Sequence, residues 1–178
     1  MNWLTIVKGS IPEHSTNIAD CLEYAMNKYD HGLSDIDLHG CALAAAIASG
    51  NGGLADEIAM NSPLFGKPER EIAKTAAATA AVEDILTVYD QASKRVWEWN
   101  TEKENSRFKD ALFAPLSAFE NGNVSYAMYY LAALLVYKNE VAVAEQCNHL
   151  LTLKVSGPQL KGIAQIAAAM AAINRIIL

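Results

Sequence analysis

The chain is poor in charge, in basic clusters and in long apolar runs. Only 19% of its 178 residues are charged, against about 25% in a typical soluble domain. The longest apolar stretch, about 124–137, is shorter than the roughly 20 residues that a membrane-spanning helix needs. The net charge is −6 and Lys and Arg are scattered, whereas a nucleic-acid partner requires a clustered basic face. We therefore expect neither a membrane protein nor a nucleic-acid-binding one.

Cysteine is also scarce. The chain has three cysteines, an odd number, and they lie far apart in sequence at Cys21, Cys41 and Cys147. This pattern argues against a disulfide framework and predicts a reducing, cytoplasmic compartment. The opening residues lack the basic lead and long apolar core of a signal peptide, which favours the same compartment. Gly-rich phosphate loops, Cys-x-x-Cys pairs and Gly-x-Ser-x-Gly turns are missing from the sequence. The sequence thus predicts no cofactor.

Hydrophobic residues make up 52% of the chain and recur at helical spacing, without sustained alternation. The pattern therefore predicts an all-α fold, and the high apolar content with little charge predicts a homo-oligomer. Ser34, with Asp37 three residues later, predicts the start of one helix. The predicted helices cover 2–8, 13–29, 35–49, 54–60, 68–80 (continuing or bending towards Trp99), 108–119 (interrupted at Pro115), 124–137, 140–153 and 159–177.

Two segments rich in alanine indicate an internal repeat. AKTAAATAAVEDI at 73–85 and AQIAAAMAAINRI at 164–176 share seven of thirteen residues at an offset of 91. LAAAIASGN at 43–51 and LAALLVYKN at 131–139 match at an offset of 88, with Asn51 and Asn139 identical. The conserved order predicts one domain over 1–178, with pseudo-repeats at about 35–99 and 106–178 and the polar stretch 100–105 between them.

Alanine faces let helix axes approach to about 8 Å, so the stability of such a fold depends on dense packing. A bulky residue at Ala77 or Ala168 is accordingly expected to be costly. For Ala168→Leu we expect a loss of stability or of oligomeric order.

Two Ala-rich helical halves in this order resemble the alkylhydroperoxidase D (AhpD-like) and carboxymuconolactone decarboxylase superfamily. The likeness covers nearly the whole chain. IPEHSTNIADC (11–21) resembles the Leu-Pro-Glu opening of the family, and 38–51, 53–59 and 69–89 resemble its next helices. NVSYAMYYLAALLVYKNEVAVAEQCNHLLTLKVSGPQLKGIAQIAAAMAAI (123–173) lies over its catalytic half without a gap. The resemblance implies an AhpD-like helical fold that forms trimers or hexamers.

The redox chemistry of that family lies in the second half, as a glutamate, eleven residues, Cys-x-His-Cys, three residues and a histidine. The two cysteines form a disulfide, while the glutamate and histidines lower a thiol pKa and relay protons. Without such help, a thiol is only about 3% thiolate at pH 7. This chain lacks all five residues. The positions are occupied, in order, by Ala127, Asn139, Val141, Ala142 and Gln146.

The chain departs from the family pattern in two further respects. The Met-Asn-Asn segment of the family is Val82-Glu83-Asp84 here, and a decarboxylase also relies on acid–base residues that are missing. The resemblance therefore implies the fold and does not imply the thiol peroxidase mechanism.

Relocated chemistry would have to use Cys147 or Cys41. His149 lies two residues after Cys147, so the two side chains point about 200° apart on a helix. Glu145 does share a face with His149, most simply as a surface pair. Cys41 is separated from His39 by two residues in the same way, and we expect Cys41 and Cys147 to be core residues.

The remaining polar and aromatic clusters have structural interpretations. Asp35, Asp37 and His39 diverge at a helix start, which favours capping over a metal site, so no metal is expected. His39 occupies the place in the first repeat that Ala127 occupies in the second. Trp97 and Trp99 are interpreted as anchors of the core or of an oligomer interface. Whether Cys21 meets Cys41 is left open.

Three functional hypotheses follow. The first is a catalytically degenerate AhpD-like protein of the antioxidant superfamily that persists as a binding or scaffold oligomer. The second is a thiol peroxidase or disulfide oxidoreductase with relocated chemistry at Cys147 or Cys41. The third is an unrelated Ala-rich bundle, which predicts no two-fold relation between 38–90 and 124–177.

Overall fold

The computed structural model of the chain describes residues 2–62, 65–96 and 123–177. Within these ranges all regular secondary structure is helical and no strand occurs, which confirms the all-α prediction. A single 3-10 turn, Glu13–Ser15, precedes the second helix. The α-helices are α1 Trp3–Ser10, α2 Thr16–Ala25, α3 Asp35–Ala48, α4 Gly52–Asn61, α5 Lys67–Val96, α6 Val124–Tyr137, α7 Glu140–Thr152 and α8 Gly157–Asn174.

Most predicted helix boundaries lie within two residues of the observed ones, and α5 takes the longer form suggested by the sequence. The clear exception is the helix predicted over 13–29, since α2 ends at Ala25. Asn27 explains the early end, because its side chain accepts the N–H of Tyr29 and donates to Asp30. Such local bonds compete with the helix. The predicted helix 108–119, the boundary at 100–105, Trp97 and Trp99 lie outside the described residues.

Side-chain caps fix the starts of six helices, namely α1, α3, α4, α6, α7 and α8. Ser34 accepts the N–H of Asp37 at 3.1 Å, which confirms the predicted start of α3. Asn51 and Asn139 cap α4 and α7 in the same way, each accepting the N–H three residues on, at 2.9 and 3.2 Å. Each of these asparagines follows a residue with left-handed backbone, Gly50 at φ 81° and Lys138 at φ 61°.

Helices α3 and α6 form the centre of the core. The main contacts of α3 are with α4, α5, α6 and α8, and those of α6 are with α7, α8, α3 and α5. Gly40 permits the close approach of α3 to α6, because a Cβ built there would lie 1.9 Å from Cζ of Tyr129. The Tyr129 hydroxyl donates to the carbonyl of Ile36, and Ser125 donates to Asp37 at 2.7 Å.

The Ala-rich stretches of α5 and α8 show the same order of buried and exposed residues, but at an offset of 90. Residues 73–82 and 163–172 match class for class along ten consecutive positions. The identity match at 91 instead pairs Ala77, 1% exposed, with Ala168, which is exposed. Shifting the alignment of the two helices by one residue still pairs alanine with alanine. It also pairs residues whose side chains point about 100° apart around the helix axis. The expected packing role therefore applies to Ala77, and Ala168 lies outside the core.

The N-terminal segment is fastened to the start of α8. A Cβ at Gly162 would lie 2.5 Å from Cγ of His31, so the imidazole ring packs directly on the α8 backbone. His31 is buried, with Nδ1 accepting the N–H of Leu33 and Nε2 facing the carbonyl of Ala25. Gln159 adds a hydrogen bond to the Gly32 carbonyl at 3.2 Å. These contacts hold α2 against α8.

Among the described helices, none combines the length and apolar character that crossing a bilayer requires.

Candidate functional site

The five positions where the resemblance places redox chemistry lie on α6, at the N-cap of α7 and along α7 as far as its middle. Ala127, Asn139 and Ala142 are buried, Gln146 is half-buried, and Val141 is 55% exposed. α6 and α7 contact each other, and Lys138 and Asn139 form the whole connection between them. The structure thus brings these positions into one small region.

Asn139, which the resemblance aligns with the first family cysteine, is an N-cap. Its side-chain oxygen accepts the N–H of Ala142, which occupies the position of the second cysteine. The asparagine is only 6% exposed, and its Nδ2 atom has no hydrogen-bond partner among the described residues. The capping oxygen satisfies one of the free N–H groups that every helix start presents. The Asn139 side chain therefore has a structural role here.

Gln146 and Ala127, which the resemblance aligns with the last histidine and the glutamate of the family, are also joined. Gln146 Nε2 donates to the main-chain oxygen of Ala127 at 2.8 Å, across 19 residues of sequence. The bond ties the middle of α7 to the first turn of α6. Neither group can act as a nucleophile or as a general acid or base near neutral pH, because an amide and an alanine do not titrate there.

Cys147 is adjacent to this region but has no activating partner. It is partly exposed, and burial raises the pKa of its thiol. Glu145 and His149 are both exposed, and among the described residues no ion pair joins them. The predicted surface pair at Glu145 and His149 is therefore not formed. A raised thiol pKa lowers the thiolate fraction, the opposite of what a reactive cysteine requires.

Cys41 and Cys21 have opposite environments. Cys41 is fully buried in α3, as expected from the sequence, and burial raises its thiol pKa well above the ordinary value. Cys21 is exposed on α2. All three cysteines are free thiols. A peroxide or partner disulfide would reach Cys21 most easily and Cys41 least easily.

Asp35, Asp37 and His39 point to different partners, as expected for a helix start. Asp35 pairs with Lys28 at 2.8 Å, and Asp37 accepts from Ser34 and from Ser125. In the part of the chain that the structure describes, no group of three His, Cys, Asp or Glu side chains has the arrangement of a metal site.

His39 lies between two aromatic rings. Its centroid is 6.0 Å from that of Trp3 and 6.4 Å from that of Phe65, both edge-on. Burial lowers the pKa of the His39 imidazole, and the nearby Asp35 opposes this effect only in part. His39 Nδ1 and Trp3 Nε1 are buried without a hydrogen-bond partner among the described residues. The arrangement favours a neutral His39 imidazole, which lies at the edge of the core between these two rings.

Sequence reasoning missed the bond from Gln146 to Ala127 because its acceptor is a main-chain oxygen, which has no sequence signature. The Asn51 and Asn139 caps could have been found from the sequence, since both are asparagines between a helix end and a helix start.

No protein-family model matches the sequence, and no curated protein proved similar to it.

Proposed function

We propose that this chain is an AhpD-like protein that has exchanged its redox centre for structural contacts and acts as a non-catalytic binding or scaffold oligomer. The observation that carries the proposal is the use of the former site positions. Asn139 caps α7 at Ala142, and Gln146 holds Ala127. Four of the five positions thus have a packing or hydrogen-bonding role in place of a chemical one.

The helix contacts support the AhpD-like architecture. If α3, α4 and α5 are exchanged with α6, α7 and α8, the contacts among these six helices map onto one another. α3 with α5 corresponds to α6 with α8, and α3 with α8 corresponds to α6 with α5. A duplicated unit with a pseudo-two-fold axis would produce such an exchange, so the contact pattern supports the proposal.

Local geometry supports the same relation at the offset of 88. Gly50 and Lys138 are both left-handed, and Asn51 and Asn139 are both N-caps. Asp37 and Ser125, also 88 residues apart, bond to each other, as equivalent residues near a two-fold axis can do. An unrelated Ala-rich bundle would not predict this agreement.

The first test is thiol-dependent turnover of an organic hydroperoxide by the purified chain. We expect no rate above that of dithiothreitol alone, because burial raises the thiol pKa of Cys41 and Cys147. Turnover that disappears in Cys147→Ser or Cys41→Ser would instead establish relocated chemistry and reject the proposal.

The second test restores the family residues. A variant with Ala127→Glu, Asn139→Cys, Val141→His, Ala142→Cys and Gln146→His should gain hydroperoxide-dependent disulfide formation, since a helix N-terminus lowers the pKa of a thiol placed there. The matched control is Asn51→Cys with Leu54→Cys, the N-cap and third residue of α4. The control should form a disulfide without peroxidase activity. Equal rates in the two variants would contradict the assignment of the site.

Native-state thiol labelling gives a third, independent readout. At a protein concentration where the chain is monomeric, one thiol should react quickly and be lost in Cys21→Ser, because Cys21 is exposed on the single chain. Cys147 should react slowly, and Cys41 only on unfolding, since it is fully buried. Fast labelling of Cys147 at pH 7, measured by mass spectrometry of peptides, would favour the enzyme hypothesis.

A further inference from the structure

Helices α2 and α8 enclose an open apolar groove of about 640 Å³ on the surface. Ile18, Cys21 and Tyr24 line one wall, and the alanines at 168, 169 and 172 line the other. Tyr24 remains 52% exposed. One wall thus presents a large aromatic side chain, while the other presents Gln165 and three alanine methyl groups that leave room for one.

The two rims of the groove carry opposite charge. Asp20 lines the α2 side. Lys161 on α8 and Arg175, the C-cap residue that follows the helix, lie seven residues before and after Ala168 and are exposed, which places them on the same side of the helix. Within the described ranges none of these three charges has an ion-pair partner.

We propose that this groove binds the same groove of a second copy of the chain, about a two-fold axis parallel to the groove. Such an axis places α2 of one copy against α8 of the other, twice. Tyr24 then enters the alanine hollow at Ala168 and Ala172 of the partner copy. Aromatic side chains in a small-residue pocket are typical anchors of an interface.

Charge complementarity selects this axis over the alternative. With the axis parallel to the groove, Asp20 lies on the side of the partner's α8, whose exposed charges near the groove are the basic Lys161 and Arg175, about 21 Å apart along the helix. An axis across the groove would place α2 against α2 and α8 against α8, so that charges of the same sign face each other. Complementary charge across an interface fixes orientation and suppresses the wrong arrangement.

The inference rests on the proposed oligomer and makes it more specific. A two-fold contact yields a dimer, or joins two trimers into a hexamer, but it does not occur in a single trimer. Its failure can be distinguished from that of the proposed function: an oligomer that tolerates Ala168→Glu overturns this interface alone, whereas thiol-dependent hydroperoxide turnover overturns the proposed function alone.

The test measures the association of the full chain by sedimentation equilibrium over a range of concentrations. Ala168→Glu should weaken association by about tenfold or more, because a buried unpaired carboxylate opposes docking. The matched control is Ala78→Glu. Ala78 is an exposed alanine at the corresponding place on α5, so this variant should associate like the parent. Circular dichroism should show both variants folded.

Charge reversal provides a second measurement. Asp20→Lys should weaken association, and adding Lys161→Glu and Arg175→Glu in the same chain should restore it. A monomeric parent at all concentrations overturns the proposal. So does an oligomer that tolerates Ala168→Glu, one that loses association equally in Ala78→Glu, or a failure of the triple reversal to restore binding.

Discussion

Single glycine residues set the distance between helices in this protein, and Gly40 is the sharpest case. Gly40→Ala should destabilise the fold by about 1–3 kcal/mol or more, because its Cβ would collide with the Tyr129 ring at 1.9 Å. Chemical denaturation measures the change. Gly9→Ala is the control, since nothing lies within 4 Å of its Cβ and it is in helix α1. That variant should be neutral or gain about 0.5–1 kcal/mol.

A rescue variant separates collision from other effects of the alanine. Tyr129→Leu removes the ring atoms that a Cβ at residue 40 would meet. The double variant should therefore lose less stability than the sum of the single changes. Simple additivity would show that the Gly40 and Tyr129 contact does not determine the cost.

His39 should make stability depend on pH. Burial lowers its pKa in the folded state, so the unfolded chain binds more protons between the folded pKa and the ordinary value of about 6.5. The contribution of His39 is therefore complete above that ordinary value and is lost as the pH falls towards the folded pKa. The slope cannot exceed one proton, about 1.4 kcal/mol per pH unit.

Urea denaturation between pH 7.5 and 5.5 tests this dependence. His39→Gln should flatten the profile over this range, because the variant has no imidazole to protonate at that position. Asp35 opposes the shift, so Asp35→Asn should steepen the profile. Parallel profiles for the parent and His39→Gln would assign the acid sensitivity to other groups.

At the scale of the element, the junctions between α3 and α4 and between α6 and α7 both place a left-handed residue before a capping asparagine, but that left-handed residue differs. Lys138 adopts the left-handed conformation that Gly50 adopts in the first half. That conformation costs a residue with a Cβ roughly 1 kcal/mol. Lys138→Gly should therefore stabilise the protein, and Gly50→Ala should destabilise it by a similar amount, as thermal melting would measure.

A side-chain role for Lys138 would give a different result. Lys138 is exposed, so Lys138→Ala should change stability far less than Lys138→Gly. Equal gains from alanine and glycine would show that the backbone conformation is not the cause.

Helix periodicity and capping residues were sufficient to predict most of the elements. The all-α class, the start of α3 at Ser34 and the exact bounds of α6 followed from breaker residues and apolar spacing. The end of α2 did not, since side-chain bonds of Asn27 compete with the helix in a way that spacing does not reveal.

The site could be predicted only as a set of positions. The resemblance aligned Ala127 and Gln146 with reactive residues of the family, but it did not indicate that they bond to each other. The register of the Ala-rich helices was also beyond the sequence. A run of consecutive alanines places alanine on every side of the helix, so residue identity does not reveal which side is buried. Only the observed burial distinguishes the offset of 90 from that of 91.

At the scale of the whole molecule, the two halves share their core. α3 contacts α6 and α8, and α6 contacts α5, so neither half can lose its structure without exposing apolar residues of the other. We expect native-state hydrogen exchange of the α3 and α6 amides to occur through one global opening with a common free energy.

The terminal and peripheral helices provide the contrast. α1 contacts mainly α4, and α7 contacts mainly α6, so their amides should exchange through smaller local openings. If the α3 amides were protected to a different free energy from those of α6, the halves would be separate folding units.

The contact between His31 and Gly162 has a consequence for synthesis. The residue that receives the imidazole ring is made 131 residues after the histidine itself. At a translation rate of about 5–20 residues per second, this gap lasts roughly 7 to 26 seconds. During that time α2 lacks its place on α8, so the earliest helices of the nascent chain must wait for the last one.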